Sequence, residues 1–334
     1  MTAPGEIEFR DVPAPQVEPG KALLRIKRIG VCGSDVHVNH GKHPFTSYPV
    51  IQGHEYSAVV EAVGPGVEGI APGSKVTAMP QQVCGQCGPC HRGDYHICDS
   101  LRVEGFQAPG CAQDLFVTSA HKLIKLPNQF TFEQGAFVEP VAVAVHAISR
   151  LHSVAGRYVV VLGAGPIGNL VAQVAKASGA AVMITDVSAF RLGIADQCGI
   201  PFTSNSRTET IEDASLRSFG PEGFDIAFEC AGVEATVSAA IRSIAKGGTI
   251  VIVAVFSDKP PINLGLIQDR ELTLTGTLMY QRADYEEAVR LIASGAVKTS
   301  PLETTHFPFE RFADAYRFID ENRDRAMKVF IDMD

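Results

Sequence analysis

With 334 residues, 46% of them hydrophobic, the chain has material for two cored domains, and its net charge of −8 excludes nucleic acid or an anionic membrane surface as a natural partner. Residues 1–15 contain neither a basic n-region nor an apolar h-region, and the longest apolar run, 250–256, is far too short to span a bilayer. A soluble, cytoplasmic protein without a signal peptide is therefore expected.

Residues 1 to about 145 read as an irregular, strand-rich region. Period-two or apolar runs at 21–29, 56–63 and 75–78 are separated by Gly64-Pro65-Gly66 and Pro72-Gly73, the turn chemistry of an all-β fold. Three constellations here carry chemistry: Gly30-Val31-Cys32-Gly33-Ser34-Asp35-Val36-His37, Gly53-His54-Glu55 and Val138-Glu139-Pro140. Thiolate, imidazole and carboxylate are the ligand set of a catalytic zinc with one open position. Taken singly, Cys32 also reads as a small buried hydrophobe and His54 as a hydrogen-bonded strand end. Glu139 also reads as an acid serving the dipole of a helix that begins with Pro140. His40, His43, His91, His96, His121 and His306 read as ordinary surface or loop histidines, with a place beside a substrate as the alternative for His40, His43 and Phe45.

Of the eight cysteines, Cys84, Cys87, Cys90 and Cys98 crowd into fifteen residues, whereas Cys32, Cys111, Cys198 and Cys230 are scattered. Without a secretion signal, such crowding points to metal rather than disulfides. Four thiolates within tetrahedral reach make a closed, structural zinc site, and an iron–sulfur cluster or free thiols are the nearest alternatives.

From Arg157 the pattern changes to alternating strands and helices. A β-branched run at 158–162 leads into Gly163-Ala164-Gly165-Pro166-Ile167-Gly168, a helix-period segment follows to Ser178, and a second apolar run ends on Asp186. Gly163 permits the tight turn, Gly165 lets backbone amides approach a pyrophosphate, and Gly168 lets the helix pack close to the strand. The phosphate would sit on the helix N-terminus, with Asp186 placed to accept hydrogen bonds from an adenosine ribose. Arg191, five residues later, is the nearby cation and either stacks on adenine or faces solvent. A lone GxGxxG is often just a Gly-rich turn, but strand, glycines, helix, strand and acid in this order read as a dinucleotide-binding unit. Stretches 224–229, 248–255 and 271–277 complete a six-stranded doubly wound sheet with 201–203 as its weakest strand. Helical spacing appears at 233–245, 283–294 and 309–322, and a strand at 327–331 closes the chain.

Together these motifs, with Gly135-Ala136-Phe137-x-Glu139-Pro140 and the segments Gly295-Ala296-Val297-Lys298 and 307–315, resemble the zinc-dependent medium-chain alcohol dehydrogenases over essentially the whole chain. The likeness is nearest to the polyol branch, which includes sorbitol, galactitol-phosphate and sugar-acid dehydrogenases. It implies an α/β protein with a doubly wound Rossmann nucleotide domain at 146–279. That domain interrupts a GroES-like β-rich catalytic domain, 1–145 and 280–334, which carries a structural-zinc lobe. It further implies NAD and two Zn2+ ions, one catalytic and one structural. Cys32 and His54 look like catalytic ligands, and Glu139 occupies the place of the third ligand or the holder of the zinc water. Glu55 is similar to a glutamate that approaches zinc during ligand exchange, and Asp35 to the acid that orients the zinc histidine. Ser34 and His37 match the family's proton relay. A homodimer or homotetramer, often built through the edge strand 271–277, is part of the same resemblance.

The implied reaction is reversible oxidation of a secondary alcohol of a polyol or sugar acid to a ketone, with hydride passed to NAD. Three departures bear on it. The N-terminus lacks a full first strand. Pro109-Gly110-Cys111-Ala112-Gln113 stands where relatives usually have Gly-Gly-Phe-Ala-Glu. Met279 stands where sorbitol dehydrogenases carry an arginine that contacts substrate hydroxyls, so fewer hydroxyls, or other donors such as His40 or Gln107, are expected. A butanediol-type vicinal diol or a threonine-type substrate is the runner-up. A zinc-free quinone or enoyl reductase would lack the Cys32/His54 pair and the cysteine lobe. A nucleotide-binding structural or regulatory protein would not need the intact ligand and relay set.

Overall fold

The computed structural model describes residues 1–256 and 259–333. It forms two compact units: Met1–Glu139 with Gln281–Val289 and Glu303–Asp334, and Pro140–Tyr280 with Arg290–Leu302. Among the described residues, no helix is long and apolar enough to cross a membrane.

The strands, in chain order, are β1 (Lys21–Gly30), β2 (Glu55–Val63), β3 (Lys75–Ala78), β4 (Gln81–Gln82), β5 (Arg102–Val103), β6 (Leu115–Ser119), β7 (Leu123–Lys125), β8 (Tyr158–Leu162), β9 (Ala181–Asp186), β10 (Phe202–Asn205), β11 (Ile226–Glu229), β12 (Thr249–Ile252), β13 (Thr273–Gly276), β14 (Glu303–Pro308) and β15 (Lys328–Asp332). In the first unit seven of them make one sheet, ordered β14-β15-β1-β2-β3-β7 with β6 also paired to β1. The period-two pattern read from the sequence is what buries Ala22, Leu24 and Ile26 of β1 against Tyr56, Ala58 and Val60 of β2. Arg25, on the opposite face, pairs with Glu61 at 2.5 Å. The antiparallel register sets Gly30 opposite Glu55, and two register shifts bend β1 on the way there. The closing strand β15 pairs with the end of β1, Ile331 opposite Ile29.

The second unit is a parallel sheet ordered β10-β9-β8-β11-β12-β13. The order reverses between β8 and β11, the topological switch point where doubly wound folds bind ligands. Strands β8, β9 and β11 are near-continuous apolar runs because both faces are covered; Val160, Leu162, Met183 and Ala227 are almost wholly buried.

Two helical expectations change. The stretch 309–322 begins as a 3-10 turn, Phe309–Arg311, directly after Pro308, and becomes a helix only at Phe312–Glu321. No helix begins at Pro140. A single helix, Phe132–Ser149, runs through it. The proline removes one backbone donor, but the complete burial of Phe137, Val138, Val141 and Ala142 around it carries the helix across. Glu139 is thus mid-helix, and the reading that it serves a helix N-terminus falls.

Candidate active site

Where β1 ends, the chain turns into the short helix Gly33–Asn39, with Cys32 at its N-cap. The Cys32 amide donates to Asp35 Oδ2 at 3.0 Å, which fixes the turn. His54 immediately precedes β2 and Glu55 opens it, so the strand pairing brings both to Cys32. One ligand atom from each of Cys32, His54 and Glu55 lies within 4.8 Å of the others. His54 and Glu55 are buried.

Charged and polar groups stand beside His54 and Glu55. Asp35 Oδ1 faces His54 Nδ1 at 3.4 Å. Gln52 donates to the Asp35 carbonyl at 3.2 Å and accepts from the Tyr316 hydroxyl at 2.7 Å. Lys328, buried on β15, donates to Glu55 Oε2 at 2.5 Å and to the Val31 carbonyl at 3.2 Å. Glu55 Oε1 is buried with no hydrogen-bond partner among the described residues. Burial alone would lower the His54 imidazole, but the Asp35 carboxylate and the Cys32 sulfur outweigh it and hold it well above its usual range. Burial likewise opposes the Lys328 ammonium, and Glu55, Cys32 and Glu139 raise it despite that. The buried, unpartnered Glu55 Oε1 beside the Cys32 sulfur is a place for a cation. Thiolate, imidazole and a half-bare carboxylate around one point suit zinc with a fourth position left open.

Glu139 is buried on its helix and acts electrostatically on Lys328, but it is not in the three-donor set. Ser34 and His37 lie three residues apart on one face of the Gly33–Asn39 helix, both half-buried. Burial first, then His40 and Lys42, lowers the His37 imidazole, so it is neutral and able to take a proton.

The donors expected to replace the missing arginine are already engaged. His40 Nε2 is 2.7 Å from Asp320. Gln107 accepts from the Val103 amide at 2.8 Å and donates to the Phe45 carbonyl at 3.2 Å. His96 departs from the surface reading: it is buried, with Nδ1 3.1 Å from the Gln281 amide. The divergent loop at 109–113 pins the segment before His54, with the Cys111 and Ala112 amides donating to the Gly53 and Gln52 carbonyls at 2.9 Å.

Cys84, Cys87, Cys90 and Cys98 form the other close group. Backbone amides of Cys84 and Ser100 point at Cys98 Sγ at 3.3 and 3.4 Å. Amides of Cys90 and Asp99 hold the Cys87 thiol down to about 6, while burial and the neighbouring Cys87 push Cys90 up to about 12. A pocket of amides around four sulfurs is the environment of a closed metal site.

In the second unit, Gly163 takes φ 102°, and a Cβ added to Gly168 would stand 1.8 Å from the Gly163 carbonyl oxygen. Only glycine permits both. Gly165 caps the helix Pro166–Ala177 without a side-chain bond, which leaves the first-turn amides of Ile167 and Gly168 for a ligand. Asp186 accepts from the Ala164 amide at 2.7 Å and the Ser188 amide at 2.8 Å, so it also builds the loop it was expected to serve. Arg191 Nη1 lies 3.9 Å from Asp186 and 3.7 Å from where a Gly165 Cβ would be. Sequence reasoning missed Glu229. Its buried carboxylate accepts from the Ala231 and Gly232 amides at 3.0 Å and from Thr236 at 2.7 Å, and so shapes the turn packed against Gly163. Burial raises its pKa, opposed by those donors. An acid ending a strand two residues before Ala231-Gly232 was the available signal.

Residues 18–128 match the alcohol dehydrogenase GroES-like domain, and residues 166–294 match the zinc-binding dehydrogenase domain. The chain is 37% identical over 320 residues to the 2-dehydro-3-deoxy-L-galactonate 5-dehydrogenase of Pseudoalteromonas atlantica, covering 96% of this chain and 93% of that protein. It is 33% identical to human sorbitol dehydrogenase, covering 94% and 89%. The galactitol-1-phosphate dehydrogenase structure from Escherichia coli superposes with a TM-score of 0.91 at 28% identity, over 99% of this chain and 98% of that one. With matching domains at both ends and relatives spanning nearly its full length, the chain belongs to the zinc-binding alcohol dehydrogenase family, and it is a nicotinamide-linked dehydrogenase of that zinc-dependent kind.

Proposed function

We propose that the protein reversibly oxidises a secondary alcohol of a polyol or sugar acid to a ketone with NAD. The observation that carries this reading is the convergence of Cys32, His54 and Glu55 with one carboxylate oxygen left bare. The named activities of the sugar-acid and sorbitol dehydrogenases to which the chain is similar support the substrate class.

Residues 1–145 and 280–334 would supply the chemistry and 146–279 the nucleotide site. Cys32, His54 and Glu55 would hold the catalytic zinc, and Asp35 would orient His54. Glu139, buried on its helix, would be the alternative third ligand, while Cys84, Cys87, Cys90 and Cys98 would hold the structural ion. When bound, the zinc acidifies the substrate hydroxyl and the nicotinamide takes the hydride. Ser34 receives the hydroxyl proton at its Oγ, and the neutral His37 is its destination. Gly163, Gly165, Pro166, Ile167 and Gly168 cradle the pyrophosphate. Asp186 accepts from the ribose hydroxyls and repels a 2′-phosphate, and Arg191 lies along the adenosine side of the loop. We further propose a cytoplasmic homodimer or homotetramer.

The test is kcat/KM for C5–C6 polyols, aldonic acids, vicinal diols and ethanol, with NAD and NADP, followed by NADH or NADPH absorbance. Polyols or sugar acids with NAD should lead, and Asp186→Ser should narrow the cofactor preference by about tenfold, roughly one charge-assisted hydrogen bond. A lead for ethanol would overturn the substrate class, and a lead for NADP would overturn the role of Asp186. The apolar Met279 favours one second reading, a short vicinal diol with fewer hydroxyls to satisfy.

A further inference from the structure

His43 lies on the loop after the Gly33–Asn39 helix, and its placement is more constrained than a loop histidine requires. Its ring stacks on Phe106 with centroids 4.5 Å apart and planes 9° from parallel. Phe106 leans in turn against His54, 4.9 Å between centroids. His43 is therefore one aromatic ring removed from a donor of the metal set. Thr46 Oγ1 lies 2.7 Å from His43 Nδ1. The Phe45 carbonyl between them is held by Gln107, which fixes the loop itself.

A neutral imidazole offers one donor nitrogen and one acceptor nitrogen. The Thr46 hydroxyl can serve Nδ1 as donor or acceptor, and either way Nε2 keeps the opposite capacity. Among the described residues, no group pairs with Nε2. Burial lowers the His43 imidazole, Asp35 opposes this, and His37 and His54 add to it, which favours the neutral ring. A ring nitrogen in a plane fixed by the Phe106 stack, on a half-buried side chain, suits a hydroxyl, and leaving it unmet costs binding energy. His40 Nε2 faces Asp320 and Gln107 bridges the Val103 and Phe45 backbone, whereas the His43 ring lies against Phe106, the neighbour of His54.

We infer that His43 Nε2 hydrogen-bonds a hydroxyl of the substrate other than the one oxidised, and that this contact makes the site prefer polyhydroxylated substrates over simple secondary alcohols. The inference rests on the polyol reading above. Thr46 is the positioning residue that acts through the ring.

The test uses zinc-loaded, full-length protein and compares a C6 polyol with a secondary mono-alcohol. In His43→Phe, which keeps the stack on Phe106 but has no ring nitrogen, the polyol-to-mono-alcohol ratio of kcat/KM should fall about 10–100-fold, chiefly through the polyol KM. Thr46→Val should move the ratio the same way by less, and Thr46→Ser should restore it. With 15N-labelled histidine, the His43 Nε2 resonance should shift on polyol binding while zinc content stays at its wild-type value. If the wild-type protein oxidises no polyol, the polyol reading and this inference fall together. If it does, but His43→Phe leaves the ratio unmoved or the Nε2 resonance ignores polyol, this inference alone falls.

Discussion

The two sulfur-bearing sites draw on the chain in opposite ways. The four thiols of the lobe come from one loop, Cys84 to Cys98, whose helical content is the four-residue helix Gly88–His91 and the 3-10 turn Tyr95–Ile97. The three-donor site takes Cys32 from the end of β1 and His54 and Glu55 from the start of β2, and its countercharge, Lys328, from 273 residues beyond Glu55. The sheet register holds the second set in place, whereas the lobe is an irregular loop held by turn bonds, amide–sulfur contacts and the bonds of Gln281 and Arg282 to Gly93, His96 and Tyr95. A metal in the lobe would tie together four sulfurs of an irregular loop and so contribute to local folding, while a metal among Cys32, His54 and Glu55 would enter a frame already set by strand pairing.

The sharpest way to break that comparison is to remove one sulfur from each site. Cys32→Ser should lower kcat/KM by about 10^3-fold or more, the several kcal/mol that a Lewis-acid metal supplies, with little change in Tm. Cys87→Ser should do the converse, lowering Tm by several degrees and leaving kcat/KM within about threefold well below Tm. Metal analysis should find two zinc ions per wild-type chain and one in either variant. An exchange of phenotypes would mean the roles have been assigned backwards.

A smaller effect tests the countercharge. In zinc-free protein, Lys328→Met should lower stability by about 3–5 kcal/mol, because Glu55 is then left as an unpaired buried charge. Adding Glu55→Gln should recover part of that loss in denaturant melts. Simple additivity of the two substitutions would show that the pair is not coupled. The smallest effect expected concerns orientation alone. Asp35→Asn should weaken zinc at the Cys32 site by about 10–100-fold in chelator competition, with the lobe zinc unaltered. Equal weakening at both sites would locate the defect in the fold rather than in the support of His54.

The lobe and the Gly163–Asp186 unit were legible in the sequence because their chemistry is local: ligand spacing in one, strand, glycines, helix and acid in the other. The three-donor site was legible only as parts. Nothing in the sequence ranks Glu55 above Glu139 beside Cys32, since that choice depends on the register between β1 and β2. The helix through Pro140 was missed because burial of its neighbours overrides a local helix breaker. His40 and Gln107 looked available because their partners, Asp320 on a distant helix and the Val103 and Phe45 backbone, are set by tertiary packing. Lys328 carries no motif at all. Its meaning comes from the pairing of β15 with β1.

That pairing also sets a timetable. Synthesis proceeds at about 5–20 residues per second, so the 273 residues between Glu55 and Lys328 take roughly 14–55 s to add. Throughout that interval the nascent chain carries Cys32, His54 and Glu55 without their buried cation. A metal ion present then offers the carboxylate a positive partner before Lys328 exists, and afterwards Lys328 donates to Glu55 Oε2. Whether metal joins the growing chain or the finished one should therefore decide how readily the buried acid settles.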